Sequence, residues 1–179
     1  MQMNGERQIP ATRDQVWVAL NDPAVLQASI PGCESVERIG EHELQAVARV
    51  KIGPMSARFS GKVTLSELDP PNGYTITGEG QGGAAGFAKG GAHVALQSMD
   101  HGTLLRFDVQ AQVGGKMAQI GARLIDATAK SLADQFFDRF AGHFADADAP
   151  QAELSTAPVR ASPWRRLLTR IGGWLARRR

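Results

Sequence analysis

Residues 44–65 read LQAVARVKIGPMSARFSGKVTL, and their period decides the fold. Leu44, Ala46, Ala48, Val50 and Ile52 alternate with Gln45, Val47, Arg49 and Lys51. Beyond Gly53-Pro54, Met55, Ala57, Phe59, Gly61, Val63 and Leu65 alternate with Ser56, Arg58, Ser60, Lys62 and Thr64. A repeat of two sends successive side chains to opposite faces, so two neighbouring strands are predicted, each apolar on one face and wet on the other. The rhythm resumes after the turn-forming Asp69-Pro70-Pro71-Asn72-Gly73 with Tyr74, Ile76, Gly78 and Gly80. It continues through Val94 and Leu96 and ends with Leu105, Phe107, Val109, Ala111 and Val113. Short connections and a solvated face imply an antiparallel sheet.

Helical signals flank this block. Thr12 followed by Gln15 is a capping box ahead of Val16-Trp17-Val18-Ala19-Leu20. Pro23 opens a second short helix that Pro31-Gly32 ends, and a strand is expected around Arg7 to Pro10. After Gly114-Gly115 the period becomes helical, and one long helix is predicted from Lys116 to about Phe144. Met117, Gly121, Leu124, Thr128, Leu132, Phe136 and Phe140 form its apolar stripe, flanked by Ile120, Ile125 and Phe137. Arg123, Asp126, Lys130, Asp134 and Arg139 read as the solvated side. One long helix on one curved sheet predicts a single-domain α+β fold over residues 1–145, and a composition of 42% hydrophobic and 21% charged residues suits one soluble domain of that length.

The inward sheet face is rich in small residues: Ala46, Ala48, Ala57, Gly61, Gly78, Gly80, Gly90 and Ala92. Because interiors pack at crystal-like density, either the helix sinks onto a glycine-relieved sheet or an apolar cavity remains between them. The cavity reading predicts a lining of Ala48, Ala57, Phe59, Gly61, Gly78, Ala92 and Phe107 from the sheet. The helix would add Gly121, Leu124, Ile125, Thr128 and Leu132. Phe87, within the glycine-rich stretch 78–92, is expected at the entrance.

Other motifs carry less. Gly78 to Gly83 matches GxGxxG, but in an antiparallel sheet it lacks the strand-to-helix turn that a dinucleotide phosphate needs. His42, His93, His101 and His143 have no ligand spacing, so no metal site is expected. Cys33, the sole cysteine, reads as a structural residue rather than a nucleophile. No Asp, Glu, His or Lys falls on an inward strand position in this register, which argues against acid/base chemistry and for a non-catalytic protein.

Residues 160–179 hold seven arginines and no acid, leaving 13 bases against 18 acids over residues 1–159. Within this basic tail Trp164, Leu167, Leu168, Ile171, Trp174 and Leu175 fall on one helical face, with Arg165, Arg166, Arg170 and Arg177 opposite. That pattern predicts an amphipathic helix over residues 163–179 lying in the interface of an anionic bilayer, joined to the body by a flexible linker over 146–162. Gly172-Gly173 weakens the helix, so it is expected to form on binding. Arginine interrupts the apolar series too often for a bilayer span. A groove on a partner protein would also suit the stripe, whereas nucleic acid would use the arginines and leave the tryptophan face unexplained, so no nucleic acid partner is expected. The N-terminus lacks the apolar core of a secretory signal, which predicts peripheral attachment at the cytoplasmic face.

Three blocks carry a family resemblance: Ile30-Pro31-Gly32-Cys33-Glu34, then GKVTLSELDPPNGYTITGEGQGGAAGFAKGGA over 61–92, and VGGKMAQIGARLIDATAKSLADQFFDRF over 113–140. Together they resemble the G-subunit family of aerobic carbon monoxide dehydrogenase, over about residues 1–144. The resemblance implies the helix-grip, START-like fold, a curved antiparallel sheet around a long C-terminal helix and a hydrophobic cavity. It further implies an accessory protein that associates a molybdenum hydroxylase with the cytoplasmic membrane. Joined to the apolar cavity, this gives the expectation of a bound lipophilic small molecule, an isoprenoid quinone or another lipid, with no covalent cofactor. A lipid-transfer protein, or a cyclase or hydrolase on the same fold, is the alternative.

Overall fold

The computed structural model describes residues 1–147. Its strands are β1 (Gln2–Ile9), β2 (Cys33–Gly40), β3 (Glu43–Ile52), β4 (Met55–Asp69), β5 (Gly73–Gln81), β6 (Phe87–Met99) and β7 (Gly102–Gly114). They form one antiparallel sheet in the order β1-β7-β6-β5-β4-β3-β2. The helices are α1 (Arg13–Leu20) and α2 (Pro23–Ser29) between β1 and β2, and α3 (Ala122–Ala147) after β7.

The pairing register aligns the inward residues in rows across the sheet. Nearest α1 lie Leu96, Leu105 and Arg7, then Tyr74, Val94, Phe107 and Gly5, then Leu65, Ile76, Ala92, Val109 and Met3. The next rows are Leu44, Val63, Gly78, Gly90 and Ala111, and Ala46, Gly61, Gly80, Ala88 and Val113. Side-chain bulk therefore falls from one end of the inner face to the other.

The bulky end is the core. Ile9, Val16, Leu20, Leu96, Leu105 and Phe107 pack with Phe137, Phe140 and Phe144 of α3. The rings form a continuous run, Phe107 to Phe137 at 5.1 Å, Phe136 to Phe140 at 5.7 Å and Phe140 to Phe144 at 5.3 Å between centroids. Aromatic side chains bury more area than any other type, so these rings fix where α3 sits. The capping box of α1 is present: the Gln15 amide donates to Thr12 Oγ1 at 3.4 Å, and the Thr12 amide donates to Gln15 Oε1 at 2.9 Å.

The structure corrects three sequence expectations. β1 begins at Gln2, not near Arg7, because its inward residues Met3, Gly5 and Arg7 give no apolar alternation. The long helix begins at Ala122. Lys116 lies in a 3-10 segment, Gly115–Ile120, and Gly121 at φ +101° breaks the chain before α3, a backbone angle that side-chain-bearing residues avoid. Asp134, expected on the solvated side, pairs with Arg7, whose guanidinium stands 5.6 Å from the Phe137 ring centroid. With these changes the architecture is the helix-grip fold. Of the expected linker and tail, residues 148–179 lie outside the described residues, and no described helix is long and apolar enough to cross a membrane.

Candidate ligand cavity

Between the middle rows of the sheet and α3 lies a cavity of about 310 Å³. Its floor is Tyr74, Val94, Phe107, Leu65, Ile76, Ala92, Val109, Val63 and Leu44, its side is Leu26 of α2 and Ile30 just after it, and its roof is Ala133, Phe136 and Phe137 of α3. The lining holds no carboxylate, imidazole, amine or guanidinium, and its only hydroxyl is that of Tyr74. Such a space favours an apolar occupant, since any polar group taken from water must find a partner inside.

Tyr74 is therefore the distinctive residue of the site. It is 3% exposed and edge-on to Trp17, with ring centroids 5.5 Å apart. Burial alone pushes its phenol well above the usual tyrosine range, so the group stays a neutral donor. No described residue hydrogen-bonds its hydroxyl.

The expected lining residues are distributed as follows. Ala92 and Phe107 lie in the floor. Gly78 sits on the adjoining inward row, and Ala48, Ala57, Phe59 and Gly61 lie further toward the connections opposite α1. There the Phe59 ring covers Gly82, whose added Cβ would come within 2.6 Å of it. Leu124 is 39% exposed and rests on the β3–β4 turn, 2.8 Å from where a Cβ on Gly53 would stand. The Thr128 hydroxyl donates to the Leu124 carbonyl at 2.9 Å, so it is used within the helix. Leu132 is half-buried, and Gly121 is exposed ahead of the helix. Ile125 and Phe87 border a separate depression of about 470 Å³ with Val113 and Ala118, where the Phe87 ring lies over Gly114.

The roof thus comes from positions 133–137 rather than from 121–132. Sequence reasoning passed over Tyr74, which opens the inward series Tyr74, Ile76, Gly78, and over Leu26 and Ile30, apolar residues in and just after the short helix α2. Cys33 is half-buried, with its thiol 3.4 Å from the Ser35 carbonyl oxygen and its proton held on chiefly by burial, the profile of a structural residue. A larger groove, about 870 Å³, crosses the outer sheet face between Lys62, Thr77, Glu79, Lys89 and Gln112. It is more open and polar, so the smaller apolar cavity is the better ligand site.

Comparison with known proteins agrees with this architecture. The family model for the G subunit of carbon monoxide dehydrogenase (CoxG) matches residues 5–144. A conserved protein from Geobacillus kaustophilus is 31% identical, with 82% of this chain and 97% of that chain covered and a TM-score of 0.77. A Thermus thermophilus protein is 17% identical, covering 83% of this chain and 100% of that one at a TM-score of 0.62. The Zhui aromatase/cyclase from a Streptomyces species is also 17% identical, covering 80% and 92% at 0.55. At such identities the last two share the fold alone. No curated protein matches the sequence.

Proposed function

Because this chain belongs to the CoxG family of carbon monoxide dehydrogenase G subunits, we propose that it is a non-catalytic accessory protein of a molybdenum hydroxylase of the carbon monoxide dehydrogenase type. In this reading it attaches that enzyme to the cytoplasmic face of the cell membrane and carries an isoprenoid quinone in its cavity. The observation that carries the ligand assignment is an apolar space with a single neutral hydrogen-bond donor, Tyr74. A quinone presents an apolar ring, a carbonyl acceptor and a hydrocarbon chain, which match such a site group for group. The volume equals about ten water molecules, room for the ring and the start of the chain, with the rest leaving the cavity. A molybdenum enzyme that oxidises its substrate must pass two electrons onward. A quinone taking them up with two protons would link that enzyme to a respiratory chain. The paired tryptophans and arginines of residues 164–177 support membrane attachment.

Native mass spectrometry with lipid extraction of protein purified gently from membranes tests the reading. A co-purifying isoprenoid quinone is expected. An empty protein that still binds anionic vesicles reduces the role to recruitment, and an empty protein that binds none removes both halves of the proposal. Deleting residues 160–179 should release the protein from such vesicles without unfolding it.

A further inference from the structure

We propose that the end of the body opposite α1, where the β3–β4, β5–β6 and β7–α3 connections meet, is itself a docking surface for an anionic lipid bilayer. The inference deepens the peripheral attachment proposed above and rests on it, but it uses residues of the folded body and not the tail. These three connections converge: Leu124 covers Gly53 of the first, and Gly86 of the second abuts the backbone of Gly114 and Gly115 of the third.

Two observations favour a lipid surface there. The first is apolar exposure among cations: Phe87 at 38% and Leu124 at 39% are open to solvent beside basic residues, whereas the comparably exposed Ile39 and Met99 lie among the acids of the other end. The second is charge. Segments 50–58, 80–89 and 112–125 contain Lys51, Arg58, Lys89, Lys116 and Arg123 and no acid. Glu34 is tied to Arg58 at 2.6 Å, and Glu79 and Asp126 lie just outside these segments, so Lys51, Lys116 and Arg123 are the cations least offset.

At the other end, segments 38–44, 66–74 and 98–104 contain Glu41, Glu43, Glu67, Asp69 and Asp100 against Arg38 alone. That end also holds α1, since Arg13 Nη1 donates to Asn72 Oδ1 in the β4–β5 turn at 2.7 Å. The body is acidic as a whole, so a negative surface would repel it in most orientations and attract it in the one that presents this basic, apolar end. Exposed apolar side chains among cations are the chemistry of an interfacial contact.

The test uses the full chain in a Cys33→Ser background, with a polarity-sensitive NBD probe on a single introduced cysteine, Phe87→Cys, Leu124→Cys or, as control, Val18→Cys on α1. Val18 is 66% exposed. With vesicles of mixed phosphatidylglycerol and phosphatidylcholine, the probes at 87 and 124 should shift to the blue and brighten while the probe at 18 stays aqueous. High salt should reverse the response. The triple variant Lys51→Glu/Lys116→Glu/Arg123→Glu should lose the probe response and bind these vesicles about a hundredfold or more weakly, because each of the three basic residues near such a surface contributes about fivefold. Cosedimentation with vesicles while both probes remain aqueous overturns the surface and leaves the tail as anchor. No cosedimentation at all overturns the peripheral attachment together with it. A probe response to the purified partner enzyme without lipid overturns the lipid assignment, making the surface a protein contact.

Discussion

Replacing Tyr74 with phenylalanine separates two properties that most core substitutions change together. The residue is 3% exposed and no described residue hydrogen-bonds its hydroxyl, which is not fully occluded, in a cavity whose remaining lining is apolar. Burying a hydroxyl without a partner costs about 1–3 kcal/mol in protein interiors, but water can still reach this one, so Tyr74→Phe should stabilise the ligand-free protein by about 1 kcal/mol at most. At roughly 3–5 °C per kcal/mol for a domain of this size, the melting temperature should rise by a few degrees at most. The ligand-bound protein should respond the other way. If Tyr74 donates to a quinone carbonyl, the variant loses one neutral hydrogen bond of about 0.5–1.5 kcal/mol, which weakens binding by about two- to twelvefold. The assay is thermal unfolding of delipidated and quinone-loaded protein side by side, with quinone affinity measured by titration. The gain in stability given by ligand should shrink as the ligand-free melting temperature climbs. A delipidated variant that melts below the parent would refute the argument, because the hydroxyl would then be making a contact that holds the fold.

Three further substitutions follow from the same geometry. Ala133→Phe places a ring in the roof of the cavity and should abolish quinone uptake at a cost in stability of about 1–3 kcal/mol, read by titration and denaturant unfolding. Phe140→Ala removes a fully buried ring from the centre of the aromatic run and should cost about 3–5 kcal/mol in urea unfolding. Glu34 is held below its ordinary value by its hydrogen bond to Arg58, so its contribution is present above the usual carboxylate range and is lost as pH falls through the depressed value. Glu34→Gln should accordingly flatten the acid side of the stability profile, most visibly at low salt.

How far the sequence discloses this molecule depends on the kind of signal. Alternation over 44–65 assigns the inward face correctly because each strand there has one buried and one wet side, and the pairing of Ala46 with Gly61 and Leu44 with Val63 follows. The Thr12–Gln15 box is local chemistry and is equally readable. β1 hides its beginning because Arg7, a charged residue, points inward and is satisfied by Asp134, 127 positions away. The onset of α3 is hidden by Gly121, since KMAQIGARL has helical spacing and only the positive φ shows the break. The cavity roof lies about two turns later than the expected lining because the first turns of α3 rest on the β3–β4 turn, with Leu124 against Gly53. The small inward residues did indicate a loosely filled inner face. The open volume nevertheless sits over medium-sized residues near Phe107, while the start of α3 comes down on the β3–β4 turn.

The gradient of bulk across the inner face bears on how the protein could change its cargo. A Cβ on Gly61 would come within 2.9 Å of the Glu79 carbonyl oxygen, and one on Gly90 would collide with the Gln110 carbonyl. Enlarging either residue therefore disturbs strand pairing before it reshapes the lumen. The sheet is a floor that tolerates little revision, whereas Ala133, Phe136 and Leu26 belong to helices laid over it, Ile30 caps α2, and all four can be exchanged for side chains of other sizes without touching a ladder hydrogen bond. Selection for a different ligand would accordingly be recorded in α2 and α3, and relatives that handle unlike molecules should diverge in those two helices while their glycine rows stay alike.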